Sequence, residues 1–315
     1  MRKILLLLLL ALSSPLLAQQ NAHYTQYIFN GLVINPAYAG SKEVLHVTGM
    51  YRHQWAGLDG APTTQTLSLD GAVLKNKVGL GLHVMNDQLG AQGQKSFYGS
   101  TAFRVRLGPA ARLALGLAGG ASEYYTDGQK LRPIDKANDP NIPTTWQGYW
   151  LPDAKAGLFF NTERFFMGLS ASNLIGFRNN FVVTPTRHYY FTTGYVFDLN
   201  DMLRFKPSML LKEDFKSPAN LDLNAFLLIG DRLWLGGSYR TGVTLYNQQA
   251  YQAEGLDSNN AWAMIAEVYL SPRVKVGYSY DVTLSGLRNY ASHEVSLGFY
   301  FYKKEEAKSL TIRYF

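Results

Sequence analysis

The sequence predicts an all-β protein, a transmembrane up-and-down antiparallel β-barrel of about fourteen strands over residues 43–301. Three observations predict it. After Ser41 the chain is a succession of segments in which apolar residues recur at every second position. The connectors between these segments are mostly short and long in turn. The first residues read as an export signal, which makes the cell outer membrane the expected location.

The leader comes first. Arg2 and Lys3 form a basic start, 4–12 is an apolar run, and Ser13, Ser14, Pro15 and Ala18 precede a polar Gln19-Gln20. That order of charge, grease and small residues is a signal peptide over 1–18. The apolar run is shorter than the ~20 residues a spanning helix needs. Residues 19–42 follow as an N-terminal segment expected at the periplasmic side, plug-like or free to dock a partner. Residues 302–315, with the charged run Lys303-Lys304-Glu305-Glu306, form a C-terminal periplasmic tail.

Strands are read at 43–55, 64–74, 77–86, 95–107, 111–126, 154–161, 164–173, 188–199, 203–214, 220–229, 232–242, 261–270, 273–283 and 292–301. The last is the clearest. Val295, Leu297, Phe299 and Phe301 share one face, and Glu294, Ser296, Gly298 and Tyr300 share the other. In 101–107, Thr101, Phe103, Val105 and Leu107 oppose Arg104 and Arg106. In hydrocarbon every backbone N–H and C=O needs an internal partner, so such a sheet must close. The apolar face then meets lipid and the mixed face lines the lumen. Two features strain this reading. Pro207 falls inside a strand, where a bulge is expected, and 154–161 is short for a spanning strand.

Short connectors fall at 75–77, 108–110, 161–163, 200–202, 230–231 and 271–272, each rich in turn formers. Longer ones fall at 56–63, 87–94, 127–153, 174–187, 215–219, 243–260 and 284–291. Short periplasmic turns and long external loops are the pattern of outer-membrane barrels. Loops 127–153 and 243–260 are the natural outward contact surface, with Asp139, Trp150, Tyr246 and Tyr251 as candidate contacts. The 21 Tyr, 17 Phe and 5 Trp suit a protein with rings at membrane interfaces.

Chemistry is expected to be absent. The chain has no cysteine, which excludes thiol catalysis, disulfides and thiolate metal sites. Its six histidines show no ligand spacing, so no metal and no cofactor are expected. Gly168-Leu169-Ser170-Ala171-Ser172 breaks the nucleophile-elbow pattern, and no enzymatic activity is expected. The loop 135–141 has several oxygen ligands without EF-hand spacing and reads first as a polar external loop, with calcium binding as the alternative. The formal charge of +7 includes Arg2 and Lys3 of the leader, and the remaining cations are scattered. Nucleic acid is therefore not an expected partner.

The residues before the first strand carry a resemblance. Gln26, Tyr27, Asn30, Ile34, Asn35, Pro36, Ala37, Tyr38, Ala39 and Gly40 stand at the spacing of the opening signature of the PorP/SprF family. These are outer-membrane barrels of the type IX secretion system of Bacteroidota. Tyr51-Arg52 with Gln54-Trp55, Asn138-Asp139-Pro140, Leu151-Pro152-Asp153, Lys206-Pro207-Ser208 and His293-Glu294-Val295-Ser296-Leu297 resemble later parts of the family pattern. The resemblance implies a barrel that assists export or surface anchoring of cargo such as gliding adhesins. It implies as partners outer-membrane lipids, secreted cargo with a type B C-terminal domain, and machinery including a periplasmic peptidoglycan-binding lipoprotein. Tyr27, Asn30, Asn35, Pro36, Tyr38 and Gly40 are the candidate plug or partner-binding residues. A passive diffusion porin is the alternative function.

Overall fold

Alternation sorts the side chains of each segment to two faces, and the structure, a computed structural model, shows where those faces point. It describes residues 23–131, 143–175, 185–245, 260–284 and 286–301. The leader 1–18, the tail 302–315, the loop 135–141, and Asp139, Tyr246 and Tyr251 lie outside the described residues.

The strands are β1 (Leu45–His53), β2 (Thr63–Val73), β3 (Val78–Leu89), β4 (Gln92–Arg106), β5 (Arg112–Asp127), β6 (Trp146–Asn161) and β7 (Phe165–Ser172). They continue with β8 (His188–Tyr195, resumed as Phe197–Asp198), β9 (Leu203–Glu213), β10 (Ala219–Ile229) and β11 (Leu233–Val243). β12 (Ala261–Ser271), β13 (Val274–Thr283) and β14 (Ala291–Phe301) complete the set. Each pairs antiparallel with its sequence neighbours. β1 closes the sheet on β14, from Leu45 opposite Phe301 to His53 opposite His293. Closure leaves no edge, which is what a sheet in lipid requires.

The outer face is apolar. Leu67, Leu117, Met264 and Leu297 are exposed there, each flanked along its strand by inward-facing buried residues, and Leu82 is exposed between half-buried Gly81 and buried His83. On β1 the inward set is His46, Thr48, Met50 and Arg52, all buried. Leu82, 46 % exposed on β3, sits near the middle of its strand. Replacing it with Arg should destabilise the barrel by ~2–4 kcal/mol, the cost of a cation on the lipid face at mid-depth. Urea titration of folding into phospholipid vesicles reads this. A cost within ~0.5 kcal/mol, usual for a water-exposed surface site, would deny lipid contact there.

Four expectations are corrected. The gap read over 87–94 is no loop: β3 and β4 run to a two-residue turn, Gly90-Ala91, with Gly90 at φ +58°. β6 begins at Trp146, so the short strand at 154–161 is a 16-residue strand. Trp150 accordingly belongs to β6, opposite Glu123 and with its ring 5.9 Å from that of Phe97, and not to an external loop. Pro207 makes no bulge. Register is kept across it, and the β8–β9 ladder simply lapses between Phe205–Phe197 and Ser208–Gly194, where proline has no N–H to give. The register shift among the described pairings is at Tyr269/Ser271.

Candidate functional site

The lumen is filled by the chain's own residues 24–42, the segment that holds the opening signature. Its backbone is three 3-10 turns, Gln26–Phe29, Gly31–Val33 and Pro36–Tyr38. The sequence dictates the last of these. Asn35 is extended, as a residue before proline prefers, and its Oδ1 accepts from Ala37 N at 2.9 Å. Pro36 then supplies the fixed φ of a first helical position. Gly40 ends the segment at φ +69°.

The segment runs the height of the barrel. Thr25 and Gln26 are held in the long-loop half, by Arg52, Asp281 and Glu294 near the ends of β1, β13 and β14. Glu43 lies at the short-turn end, accepting from Asn76 Nδ2 at 2.9 Å and pairing with Arg112. The signature thus lies within the lumen. Its side chains meet matched places on the wall there.

Each candidate residue can be placed. Tyr27 is buried, its hydroxyl accepting from Asn224 Nδ2 at 2.7 Å. Asn30 donates to Ser68 Oγ at 3.1 Å. Asn35 Nδ2 donates to the carbonyl of Leu158 at 2.9 Å. Pro36 is fully buried. The ring of Tyr38 lies edge-on to Phe159 at 5.3 Å. Gly40 N donates to Asp70 Oδ2 at 2.9 Å, and its carbonyl accepts from Arg104.

The wall is built to receive this segment. A water-filled lumen is lined by polar residues, yet Phe159, Phe166, Phe226 and Trp234 point inward from β6, β7, β10 and β11. They pack with Phe29 and Tyr38. Phe29 meets Phe226 at 5.4 Å and Trp234 at 6.3 Å. Lys206, wholly buried, places its ammonium 5.4 Å from the Trp234 ring and 6.0 Å from that of Phe29. Wall glycines mark the closest approaches. A Cβ on Gly116 would lie 2.1 Å from Ala37 N, and one on Gly79 would lie 1.9 Å from the Ala39 carbonyl oxygen. Gly116→Val should therefore expel the segment while leaving strand pairing intact. Limited proteolysis within 24–42 should speed up in this variant as heat-modifiable migration persists; protection equal to the parent's would contradict the close fit.

Polar contacts complete the seat. Glu294, 0 % exposed, accepts the backbone N–H of Thr25 at 2.9 Å and of Gln26 at 2.8 Å. Arg52 Nη2 lies 2.8 Å from Asp281 Oδ2, and its Nη1 lies 3.2 Å from Glu294 Oε2. Arg52, Asp281, Glu294, Asp70, Arg104, Ser68 and Asn224 were missed by reading the sequence for sites. The signal present was charge on the inward parity of strands, as at Arg104 and Glu294.

The family model described as type IX secretion system membrane protein PorP/SprF matches residues 16–299. A search of curated proteins finds no match. Among solved structures the chain is similar to the CymD monoaromatic hydrocarbon channel, at 11 % identity and a TM-score of 0.49, covering 87 % of this chain and 93 % of that one. It is similar to outer membrane protein Omp33 of Acinetobacter baumannii at 11 % identity and a TM-score of 0.46, with 82 % and 98 % covered. It is similar to the KdgM porin at 7 % identity and a TM-score of 0.40, with 82 % and 99 % covered. A closed barrel with an apolar outer face, matched along most of its length by a family of secretion membrane proteins, is an outer-membrane protein. The chain belongs to the PorP/SprF family of type IX secretion system membrane proteins.

Proposed function

We propose that the barrel is a plugged, two-sided docking component of the type IX system, a binder and not a catalyst or a diffusion pore. Its work in this reading is to assist export or surface anchoring of cargo such as gliding adhesins, by engaging the type B C-terminal domain of the cargo, the periplasmic machinery, or both. The single observation that carries the reading is the filled lumen. A porin needs an open polar path, whereas residues 24–42 occupy this one and the wall presents rings to them. The short-turn end would face the periplasm and the peptidoglycan-binding lipoprotein, and the tall hairpins would face outward.

The test is genetic and topological. In cells carrying this chain, its gene is deleted and surface display of type B cargo is followed by protease shaving of intact cells. Display should fall and return with the full chain supplied in trans. Unchanged display of every such cargo would overturn the proposal.

A further inference from the structure

The short-turn rim, where the plug ends, has a sector of unmatched positive charge. Lys75 and Lys77 lie in the β2–β3 turn, and Arg106 and Arg112 lie at the facing ends of β4 and β5. Arg106 stands directly opposite Arg112, so two guanidinium groups share one face of the ladder. Like charges so placed destabilise a sheet. Lys77 is the next neighbour, its carbonyl accepting from Arg104 N at 2.8 Å. The carboxylate at this edge is Glu43, and both its oxygens are in use. Arg112 pairs with Oε1, and Asn76 Nδ2 donates to Oε2 at 2.9 Å. Lys75, Lys77 and Arg106 are exposed, and their side chains have no hydrogen bond or ion pair among the described residues. Farther round, the rim neutralises itself. Arg164 and Arg204 share Asp198, and Arg204 also reaches Asp231.

The open sector faces the mouth of the barrel and not the lipid. Arg106 has the parity of Arg104 and Ala102, which are buried inside, and Lys77 has that of Gly79, which the plug touches. The lipid-facing parity beside Arg106 holds Val105 and Leu107, 58 % and 59 % exposed. The sector is also fixed in place. Leu74, Lys75 and Asn76 hold the turn at φ +51°, +56° and +64°, and Asn76 is tied to Glu43. Groups already held lose little freedom on binding.

We infer that this sector docks an acidic segment of a polypeptide on the periplasmic side, its carboxylates taken by Arg106, Lys77 and Lys75. An arginine fork matches a carboxylate with two parallel N–H donors. The chain's own tail has the wrong charge for the place, since 302–315 carries Lys303, Lys304, Lys308 and Arg313 against Glu305 and Glu306. The docked segment lies beside the foot of the plug, where Arg104 holds the Gly40 carbonyl and Arg112 holds Glu43. The inference rests on the reading of the barrel as a docking component with its short turns in the periplasm.

The experiment titrates the full mature chain, folded in detergent micelles, with a fluorescent, blocked hexaglutamate peptide and with its hexaglutamine counterpart. Saturable binding of the first alone is expected, weakening as salt rises. The triple variant Lys75→Gln, Lys77→Gln, Arg106→Gln should bind about tenfold more weakly or worse, as loss of several exposed ion pairs together does. A matched triple at the long-loop end, Lys130→Gln, Arg187→Gln, Lys216→Gln, should bind as the parent does. All these positions are exposed, so both proteins should fold, and heat-modifiable migration reports it. Equal weakening in the two triples would leave net charge alone as the cause and overturn the inference. Equal binding of hexaglutamine, or no binding of hexaglutamate, would do the same. Binding of phosphatidylglycerol, lost in the first triple, by a chain that ignores the peptide would assign the sector to lipid. A gain of about tenfold in peptide affinity on deleting 302–315 would assign it to the tail. Either result also overturns the inference. Binding is read on purified protein and cargo display in cells, so failure of the one is told apart from failure of the other.

Discussion

Replacing residues 24–40 with a short Gly-Ser linker should turn a silent barrel into a conducting one. The full chain in a planar bilayer should give no resolvable steps, and the variant should give discrete openings. Barrels of eight strands are filled by their own side chains, whereas those of sixteen to eighteen leave an aqueous channel. Fourteen strands lie near the upper group, so once the segment is gone the wall alone cannot close the lumen. The deletion also uncovers Phe159, Phe166, Phe226 and Trp234 to water, at ~1.5–3 kcal/mol for each ring that loses its cover. A second variant guards against a barrel too weakened to insert. The chain has no cysteine of its own, so Asn30→Cys with Ser68→Cys gives a clean lock at a native contact. Oxidised, the lock should abolish any openings that dilute urea provokes in the parent, and a reductant should restore them. Conductance in the full chain equal to that of the deletion variant would return the protein to the porins.

The strands were legible in the sequence because lipid imposes period two on one face and leaves the other free. That signal holds only inside the membrane. Where β3 and β4 rise beyond it, as Asn86-Asp87-Gln88 and Gln92-Gly93-Gln94, no lipid demands apolar alternation, and the residues look like a loop. Trp146 to Asp153 was hidden in the same way. The signature at 26–40 was legible as a signature and as a plug-like or docking segment, yet its seat on the wall was not. The contacts that seat it join residues far apart in sequence, Thr25 to Asp281 or Asn35 to Leu158, and nothing local encodes them. The inward rings could have given it away. Phe159 and Phe166 stand beside outward-leaning Phe160 and Phe165, so both faces of those strands are greasy. In an empty barrel that is an anomaly, and in a plugged one it is the seat.

Arg52→Met should be the most costly single change to the buried charges, ~3–5 kcal/mol in urea titrations of vesicle-folded protein. Arg52 is the cation between two buried carboxylates, Asp281 and Glu294, and also donates to Thr25 Oγ1 at 2.8 Å. Without it the two acids lose the guanidinium they share. Glu294→Gln is gentler. It leaves Arg52 paired with Asp281 and weakens the acceptor for the N–H groups of Thr25 and Gln26, a loss of ~1–3 kcal/mol. The two changes share one network, so the double variant should cost less than their sum by ~0.5–3 kcal/mol. The cluster joins β1, β13 and β14 to the first residues of the plug. Its loss should therefore show first as protease access within 24–42, before the strands melt. If Arg52→Met costs no more than ~0.5 kcal/mol, as at an ordinary surface site, the carboxylates are hydrated and the plug is not anchored by charge. If the plug stays protected while the barrel weakens, the charges hold the wall and the rings hold the plug.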